Sequence, residues 1–406
     1  MQSRGVGGLA VRAGLASLAA LVLGVTACGP ARPAGSIRQI PHPDTFAGAA
    51  PVQAPAPPPP RTFTVVGSGD VLLHEALWAQ AKRDAAAAGR DGYDFAPIFA
   101  SVKPVVSAAD LAICHMETPL APPNGPFRGY PSFSVPPQVT TALADLGYDS
   151  CSTASNHSLD QGVAGVVRTL DALDTVGIRH AGTARSQAEA LSPTLLNANG
   201  VLVAHLSYTW SFNGLHRPAS MPWIANPIDV AAISADARLA RIAGAEVVIV
   251  SLHFGTEYQH AANSYQISLA RDLLANPDVD LILGHHAHVV QPLERIGEKW
   301  VAYGMGNQVA WQNQAYDTRD GIMPRFTFAE VSPGVFRVVE AEVFPTFMWL
   351  DGLPGRLYNV YAVLANPDSP PALRASCLAS LRRTKAVMGQ RGAFGSGLVL
   401  HGVVSV

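Results

Sequence analysis

The sequence has few charged residues, few cysteines and no apolar run of transmembrane length. Charged side chains make up 14% of the 406 residues and the net charge is -2, so the chain lacks the basic surface that binds nucleic acid. Beyond the N-terminal region the cysteines are odd in number, which argues against a complete disulfide framework. We therefore expect Cys114, Cys151 and Cys377 to be buried thiols of the core.

The N-terminal region predicts an exported, lipid-anchored protein. Arg4 and Arg12 precede an apolar run over residues 13–25, which is short for a membrane span but typical of the core of a signal peptide. Small residues then lead to Cys28, which resembles the cleavage site of bacterial lipoproteins. An ordinary secretory signal with an incidental cysteine is the alternative. We expect residues 1–28 to be a lipoprotein signal peptide that leaves the chain lipid-anchored on the extracytoplasmic face of the cell membrane.

The rest of the chain divides by composition into a tether, a folded domain and an extension. Residues 29–62 contain ten prolines, a composition that favours an extended linker over a packed core. From residue 63 to 345, short apolar runs alternate with helical patterns, which predicts an α/β domain. Residues 346–406 are predicted to be a partly helical C-terminal extension.

Five predicted strands are each followed by a side chain that can bind a metal ion. The strands are Phe63–Val66, Leu111–Cys114, Ser150–Ala154, Val247–Leu252 and Val279–Leu283. The side chains that follow them are, in the same order, Asp70, Glu117, Asn156, His253 and the pair His286 and His288. Binding groups of α/β folds commonly lie at the carboxyl ends of strands, so we expect these side chains to converge. Helix capping is the ordinary alternative for Asp70 and Asn156.

The mixture of carboxylate, amide and imidazole ligands indicates the kind of metal. Such ligands suit Mn, Fe or Zn better than an ion that prefers thiolates. Two divalent ions about 3.5–4 Å apart can activate a water molecule and stabilise a leaving oxygen. The sequence therefore predicts a centre for two divalent metal ions. His205 alternates with apolar residues in a predicted strand and is expected to be a core histidine instead.

Seven segments together resemble the CapA family of bacterial capsule (poly-gamma-glutamate) synthesis proteins, which belongs with the calcineurin-like metallophosphoesterases. The segments are Gly69–Val71, Met116–Thr118, Ser155–Gly162, Ile178–Gly182, His253–Tyr258, Gly284–Pro292 and Tyr303–Asn307. The resemblance extends over residues 62–307. It implies a four-layer α-β-β-α sandwich of the metallo-dependent phosphatase type, followed by the C-terminal extension.

The resemblance also implies a role for each site residue. One metal ion would be bound by Asp70, Glu117 and His288, and the other by Glu117, Asn156, His253 and His286. His157 would donate a proton to the leaving group, because a general acid must lie close to the reacting atoms. Asp160 would orient the His157 imidazole, or it would simply begin a helix.

The sequence departs from the family pattern at several positions. Leu72 occupies the place of a histidine in the first motif, so the first metal ion lacks one ligand. His74 is a candidate replacement, and His285 is either an alternate ligand or a residue that supports one. His115 and Met116 precede Glu117 where the family usually has Asn and Leu.

Two functions are consistent with the sequence. The first is a metal-dependent hydrolase of phosphoesterase type, which acts on an anionic polymer of the cell surface or on its precursor. The second is a non-catalytic accessory protein that helps to assemble or export such a polymer as part of a larger complex. In either case residues 121–137 and 210–223 are expected to form the rim of the site and to face the substrate.

Overall fold

A computed structural model describes residues 59–312, 315–352 and 354–401. The predicted signal peptide with its Cys28, and nearly all of the proline-rich segment, lie outside the described residues and stay predictions. Across the three described ranges, none of the helices combines the length and the hydropathy that a membrane span requires.

The chain alternates strands and helices from residue 62 to residue 285 and then becomes mostly strand until residue 359. The strands are β1 Thr62–Val71, β2 Leu111–Met116, β3 Ser150–Ser152, β4 Arg179–Ala181, β5 Thr194–Ala198, β6 Val201–Thr209, β7 Val247–His253, β8 Leu281–His285, β9 Leu293–Ile296, β10 Lys299–Ala302, β11 Asn307–Val309, β12 Asp320–Ser332, β13 Val335–Trp349, β14 Arg356–Asn359 and β15 Leu398–Leu400. The helices are α1 Glu75–Ala87, α2 Ala96–Phe99, α3 Lys103–Val106, α4 Val139–Leu146, α5 Gly162–Thr175, α6 Gln187–Ala190, α7 Val230–Ile242, α8 Ser264–Ala275, α9 Val360–Ala365 and α10 Pro371–Met388.

The strands form two sheets. The first has the order β14-β13-β12-β1-β2-β3-β4, with β11 also paired to β1 and β15 to β13. The second has the order β5-β6-β7-β8-β10-β9. The neighbours β1, β2, β3 and β4 are parallel, as are β6, β7 and β8, because a helix or a long connection separates each of these strands from the next.

Alternate residues of each strand face opposite sides of its sheet, and this alternation builds the layers. In β7, Val247 and Ile249 lie in the interior shared by the two sheets, whereas Val248 and Val250 pack against α7 and α8. The first sheet likewise contributes one set of residues to the shared interior and the other set to a cluster with α1 to α5. The order of layers is helices, sheet, sheet, helices, which confirms the predicted α-β-β-α sandwich.

Strand register brings the predicted site residues to one edge of the sandwich. Asp70 of β1 pairs with His115 of β2, and His115 pairs with Ser152 of β3. In the second sheet His253 of β7 pairs with His285 of β8. All five predicted strands are present, and β1 extends further than predicted, so that Asp70 lies within the strand instead of after it.

The prediction that Cys114 and Cys151 are unpaired thiols is wrong. The two residues lie opposite each other in the parallel pair of β2 and β3, with Cα atoms 4.4 Å apart, and they form a disulfide. An odd number of cysteines excludes complete pairing but not a single bridge. The number of cysteines also says nothing about the strand register that brings Cys114 and Cys151 together. Cys377 is a buried free thiol, as predicted.

The predicted C-terminal extension continues the first sheet. β13 runs across residue 345, the predicted end of the domain, and ends at Trp349. β14 pairs with the end of β13 and β15 pairs with its middle. The segment is partly helical, as predicted, since it contains α9 and the longer α10. The strands on both sides of residue 345 therefore belong to one sheet.

Candidate metal centre

Asp70 lies in the penultimate position of β1 and is fully buried. Its N–H donates to the carbonyl oxygen of Gly306 over 2.9 Å, which fixes the end of the strand. Its carboxylate lies 3.1 Å from Nδ1 of His288 and 3.4 Å from Nδ1 of His285. Burial opposes ionisation of Asp70, but its contacts with these two histidines outweigh that effect and hold its pKa well below the usual range. Asp70 is therefore a carboxylate.

Glu117 is the least satisfied acidic group at this edge. It is only 1% exposed, and neither carboxylate oxygen has a hydrogen-bond partner. Nε2 of His288 lies 3.7 Å from one of these oxygens, beyond hydrogen-bond distance. Burial raises the pKa of Glu117 well above its usual range, although the charge of His288 opposes this shift. A buried carboxyl group without partners is costly, so its position indicates that a cation belongs there.

His288 lies between these two acidic groups. Burial lowers its pKa, but the negative charges of Glu117 and Asp70 outweigh burial and raise the pKa of His288 to about 9. Its Nδ1 also lies 3.1 Å from Oδ1 of Asn307 in β11. Without a metal ion, a proton on His288 supplies positive charge to this part of the site.

The loop after β8 has an unusual backbone. His286 and His288 have φ angles of 91° and 55°, in the left-handed region. Histidine tolerates this region better than most residues, and such strain is concentrated at functional sites. The sharp turn therefore lies in the histidines themselves and not at Gly284. A side chain at Gly284 is excluded for another reason, because its Cβ would collide with the carbonyl oxygen of Tyr303.

Asn156 and His253 come from different sheets and meet at the centre of this edge. Oδ1 of Asn156 lies 2.9 Å from Nε2 of His253, and both residues are buried. The ring of His286 lies 4.6 Å from the ring of His253, and Nδ1 of His286 has no hydrogen-bond partner. Burial lowers the pKa of His286 to about 3 and that of His253 well below its usual range, so both rings are neutral and can act as ligands.

His157 and Asp160 form a buried pair beside the histidine cluster. Nδ1 of His157 lies 2.7 Å from Oδ2 of Asp160, and the same oxygen accepts from the N–H of Phe133 over 2.8 Å. The ring of Phe133 contacts the imidazole of His157 edge-on, with centroids 4.8 Å apart. Ser155 joins this segment to the preceding loop, since its hydroxyl donates to the carbonyl oxygen of Glu117 over 2.6 Å.

Among the residues that the structure describes, two sets of side chains bring their ligand atoms within 4.8 Å of one another, so that each set could hold a metal ion. The sets are Asp70, Glu117 and His288, and Asp70, His115 and His253. Every member except His115 was predicted from the sequence as a metal ligand, whereas His115 was noted only as a departure from the family pattern. The spacing could have indicated it, because His115 lies two residues before Glu117 and residues two apart in a strand face the same side of the sheet.

The structure places the two remaining candidates differently. His74 precedes α1, and its Nδ1 accepts a hydrogen bond from the N–H of Trp311 over 3.2 Å, so it belongs to neither set. His285 is buried, its ring stacks on His115 with centroids 4.1 Å apart, and neither of its nitrogens makes a hydrogen bond. Leu72, in the place of the absent histidine, is buried among apolar residues.

Exposed aromatic residues form the rim of the site. Trp210 is 51% exposed, its backbone N–H donates to the carbonyl oxygen of His253, and its ring lies 5.8 Å from that of His286. Tyr258 is 44% exposed, with its ring 6.1 Å from that of His288. Tyr130, predicted to be at the rim, is 77% exposed.

Several ligand atoms at this edge have no hydrogen-bond partner, which suits the binding of divalent metal ions. Glu117 has two unpartnered oxygens, and Nδ1 of His286 is also unpartnered. Carboxylate, amide and imidazole donors are the set that Mn, Fe and Zn sites use. The predicted ligands therefore lie together in a buried cluster that could hold metal ions.

Known proteins resemble this chain over the part that carries the cluster. A family model described as "Bacterial capsule synthesis protein PGA_cap" matches residues 64–312. The PGA biosynthesis protein CapA of Bacillus subtilis (strain 168) is 26% identical over 252 residues, which are 61% of this chain and 65% of that protein. The capsule biosynthesis protein CapA of Bacillus anthracis is 25% identical over 211 residues, 51% of this chain and 50% of that protein.

A solved structure described as a putative 5'-nucleotidase from Staphylococcus aureus shares 12% identity with the chain. The likeness covers 79% of this chain and 58% of that one, with a TM-score of 0.45. The fold itself rests on the two sheets and their helices described above. The family match spans all of the proposed metal ligands, from Asp70 to His288. The chain therefore belongs to the family of bacterial capsule synthesis proteins described as PGA_cap.

Proposed function

We propose that this protein is a metal-dependent hydrolase of phosphoesterase type that uses two divalent ions, of Mn, Fe or Zn. Its substrate would be an anionic polymer of the cell surface, or a precursor of it, in capsule or poly-gamma-glutamate synthesis. The observation that carries the proposal is Glu117, a buried carboxyl group without hydrogen bonds that belongs to one of the two sets of ligands. An unpaired carboxyl group destabilises a buried core, whereas a bound metal ion would give both of its oxygens a partner.

The ligand assignment is the one that the family resemblance implies. Asp70, Glu117 and His288, whose ligand atoms lie within 4.8 Å of one another, would hold one ion. Glu117 would hold the other together with Asn156, His253 and His286, of which His253 contacts both Asn156 and His286. Bound divalent ions would stabilise the negative charge that develops on a phosphoryl group and its leaving oxygen.

His157 would supply the proton that the leaving group needs. Asp160 accepts from Nδ1 of His157, so the imidazole is held in one orientation and Nε2 is the nitrogen left to face a substrate. The edge-on ring of Phe133 limits rotation of the imidazole. Trp210 and Tyr258 would contact the substrate at the rim, because each is exposed beside a ligand histidine.

The proposed location is the extracytoplasmic face of the cell membrane. Cys28 would carry the lipid, and the proline-rich residues 29–62 would connect it to the folded domain. The anchor would keep the site close to a polymer that is made or exported at the membrane. A role within a synthesis or export complex is compatible with this location.

Hydrolysis of a simple phosphodiester and a simple phosphomonoester by the metal-loaded chain tests the proposed activity. We expect turnover that requires Mn²⁺ and falls by about 10²–10⁴-fold in His157→Ala, while the metal content stays that of the wild type. Turnover that survives in His157→Ala would contradict the assigned role. An absence of turnover with full metal content would contradict the proposal that the protein is a hydrolase.

A second function is favoured by one observation. Leu72 stands where the first motif has a histidine in the wider superfamily, and its side chain is buried in the apolar core. The first ion would therefore have one protein ligand fewer, which suits a metal site that supports structure or polymer binding without turnover. Measurable affinity for poly-gamma-glutamate, together with no hydrolysis of it or of phosphoesters, would favour this accessory role.

A further inference from the structure

His115 has both ring nitrogens engaged, although it lies among the proposed metal ligands. Its Nδ1 is 2.7 Å from the hydroxyl oxygen of Ser152, and its Nε2 is 2.9 Å from Nδ1 of His253. The residue is fully buried, and its ring stacks on that of His285. His115 is therefore fixed in position directly behind His253.

The hydroxyl of Ser152 allows two arrangements of the protons in this chain of contacts, because its single proton can go to Nδ1 of His115 at 2.7 Å or to the carbonyl oxygen of Cys114 at 3.3 Å. In the second arrangement the oxygen of Ser152 accepts from Nδ1–H of His115, and Nε2 of a neutral His115 is an acceptor. His253 then donates from Nδ1 to Nε2 of His115.

This arrangement leaves a lone pair on Nε2 of His253, which faces Oδ1 of Asn156 at 2.9 Å. The side-chain amide of Asn156 donates to Oδ1 of Asn213 over 3.3 Å, so the oxygen and not the nitrogen of Asn156 faces His253. Without a metal ion the first arrangement is favoured, because Nε2–H of His253 then donates to Oδ1 of Asn156 and every nitrogen of the two imidazoles has a partner. A cation beside both atoms takes the place of that proton and favours the second arrangement, so that the pair becomes half of a cation site.

We infer that His115 is a positioning residue, which holds His253 in the tautomer that presents Nε2, together with Oδ1 of Asn156, to a divalent metal ion. The inference rests on the metal centre of the proposed function. A histidine ligand commonly donates its second N–H to a carboxylate, a carbonyl oxygen or water, and here an imidazole takes that place. His115 belongs to one of the two sets that could hold an ion, and its contact with Nδ1 of His253 assigns it the supporting role.

Mn²⁺ binding to the full chain tests this inference without any need for turnover. His115→Phe keeps a buried ring that can stack on His285 but removes the acceptor for His253. We expect its affinity for Mn²⁺, measured by electron paramagnetic resonance of the free ion, to fall by about 10–100-fold. His115→Gln restores an acceptor near the position of Nε2 and is expected to recover most of that loss.

Two controls separate this effect from a general loss of structure. His205 is also a fully buried histidine between serine hydroxyls, with Ser150 2.8 Å from one nitrogen and Ser251 3.0 Å from the other. His205→Phe should lose stability and keep the affinity of the wild type for Mn²⁺. Ser152→Ala removes the group that accepts from Nδ1–H of His115 in the second arrangement, and it is expected to weaken Mn²⁺ binding less than His115→Phe does.

Each outcome has one meaning. Wild-type Mn²⁺ affinity in a folded His115→Phe would overturn the inference. Loss of one bound ion in both the Phe and the Gln variants would also overturn it, by making His115 a ligand. If His115→Phe does not fold, Ser152→Ala with unchanged affinity overturns it instead. A wild-type chain that binds Mn²⁺ but hydrolyses nothing would contradict the hydrolase and leave this inference standing.

Discussion

Nδ1 of His157 lies 2.7 Å from Oδ2 of Asp160, and the N–H of Phe133 donates to the same carboxylate oxygen. The carboxylate therefore orients an imidazole that lies beside the proposed metal ligands. This pairing was foreseen as one of two roles for Asp160, and the structure shows the contact that the first role requires.

Asp160→Asn should lower kcat by about tenfold and leave KM and metal content near those of the wild type, because the imidazole loses its orienting partner and keeps its place. Steady-state kinetics with a simple phosphodiester, alongside metal analysis, would measure this split. Asp160→Glu is the matched variant and should retain more activity. A change confined to KM would contradict an orienting role.

Glu117→Gln should weaken Mn²⁺ binding by more than the roughly 10–100-fold typical of a residue that only supports a ligand. The same change should leave the metal-free protein as stable as the wild type or more stable, because it removes a buried acidic group that has no hydrogen bonds. Urea unfolding in a chelator, together with Mn²⁺ titration, would measure both effects.

Glu257→Gln is the control for Glu117→Gln, since it removes an exposed carboxylate whose charge also acts on Glu117 and His288. It should change neither Mn²⁺ affinity nor stability by much. Equal effects of the two substitutions on Mn²⁺ affinity would show that only the general charge of the site matters, which contradicts a ligand role for Glu117.

Metal binding should release protons and strengthen as the pH rises. His288, with a pKa of about 9, carries a proton at pH 7 that a metal ion must displace. The apparent affinity should therefore rise by up to about tenfold per pH unit for this proton, until the pH passes about 9. Calorimetric titration with Mn²⁺ in two buffers of different ionisation enthalpy would count the protons. Identical enthalpies in both buffers would contradict this.

His205 should make the protein less stable in acid. Burial lowers its folded-state pKa to about 3 from the ordinary 6.5, so below pH 6.5 the unfolded chain binds a proton that the folded chain does not. Stability from this residue is complete above pH 6.5 and falls by about 2 kcal/mol at pH 5. In His205→Gln, which removes the titration, urea unfolding at pH 7 and pH 5 should show a smaller difference. An unchanged difference would contradict the account.

Much of this fold could be predicted from the sequence, because it depends on local patterns. The continuous apolar run at Val247–Leu252 is typical of a strand buried on both faces, and β7 is such a strand. The Asn199-Gly200 dipeptide is likewise a strong signal of a hairpin turn, and it joins β5 to β6 in the structure. The position of each ligand at or just beyond the end of its strand could be predicted for the same reason.

What could not be predicted depends on register between distant strands. The disulfide between Cys114 and Cys151 requires β2 and β3 to be aligned residue by residue. The contact of His115 with His253 joins residues of different sheets, 138 positions apart. The left-handed backbone of His286 and His288 has no signal in the sequence, because these are not the glycines that usually adopt positive φ angles.

The proposed lipid anchor has a direct test of its own. Cys28→Ser should move the protein from the membrane fraction to the soluble fraction, because the lipid attachment site is lost. Mass spectrometry of the wild-type protein should find an acylated Cys28 at the N-terminus. A mature chain that begins at another residue without lipid would contradict the proposed location.

The central claim is a centre of two divalent ions, and counting the ions in the purified chain tests it most directly. Elemental analysis combined with anomalous scattering from crystals grown with Mn²⁺ would give their number and position. We predict two ions about 3.5–4 Å apart, with Glu117 in contact with both. A chain that holds no ion at these residues in excess metal would contradict the account.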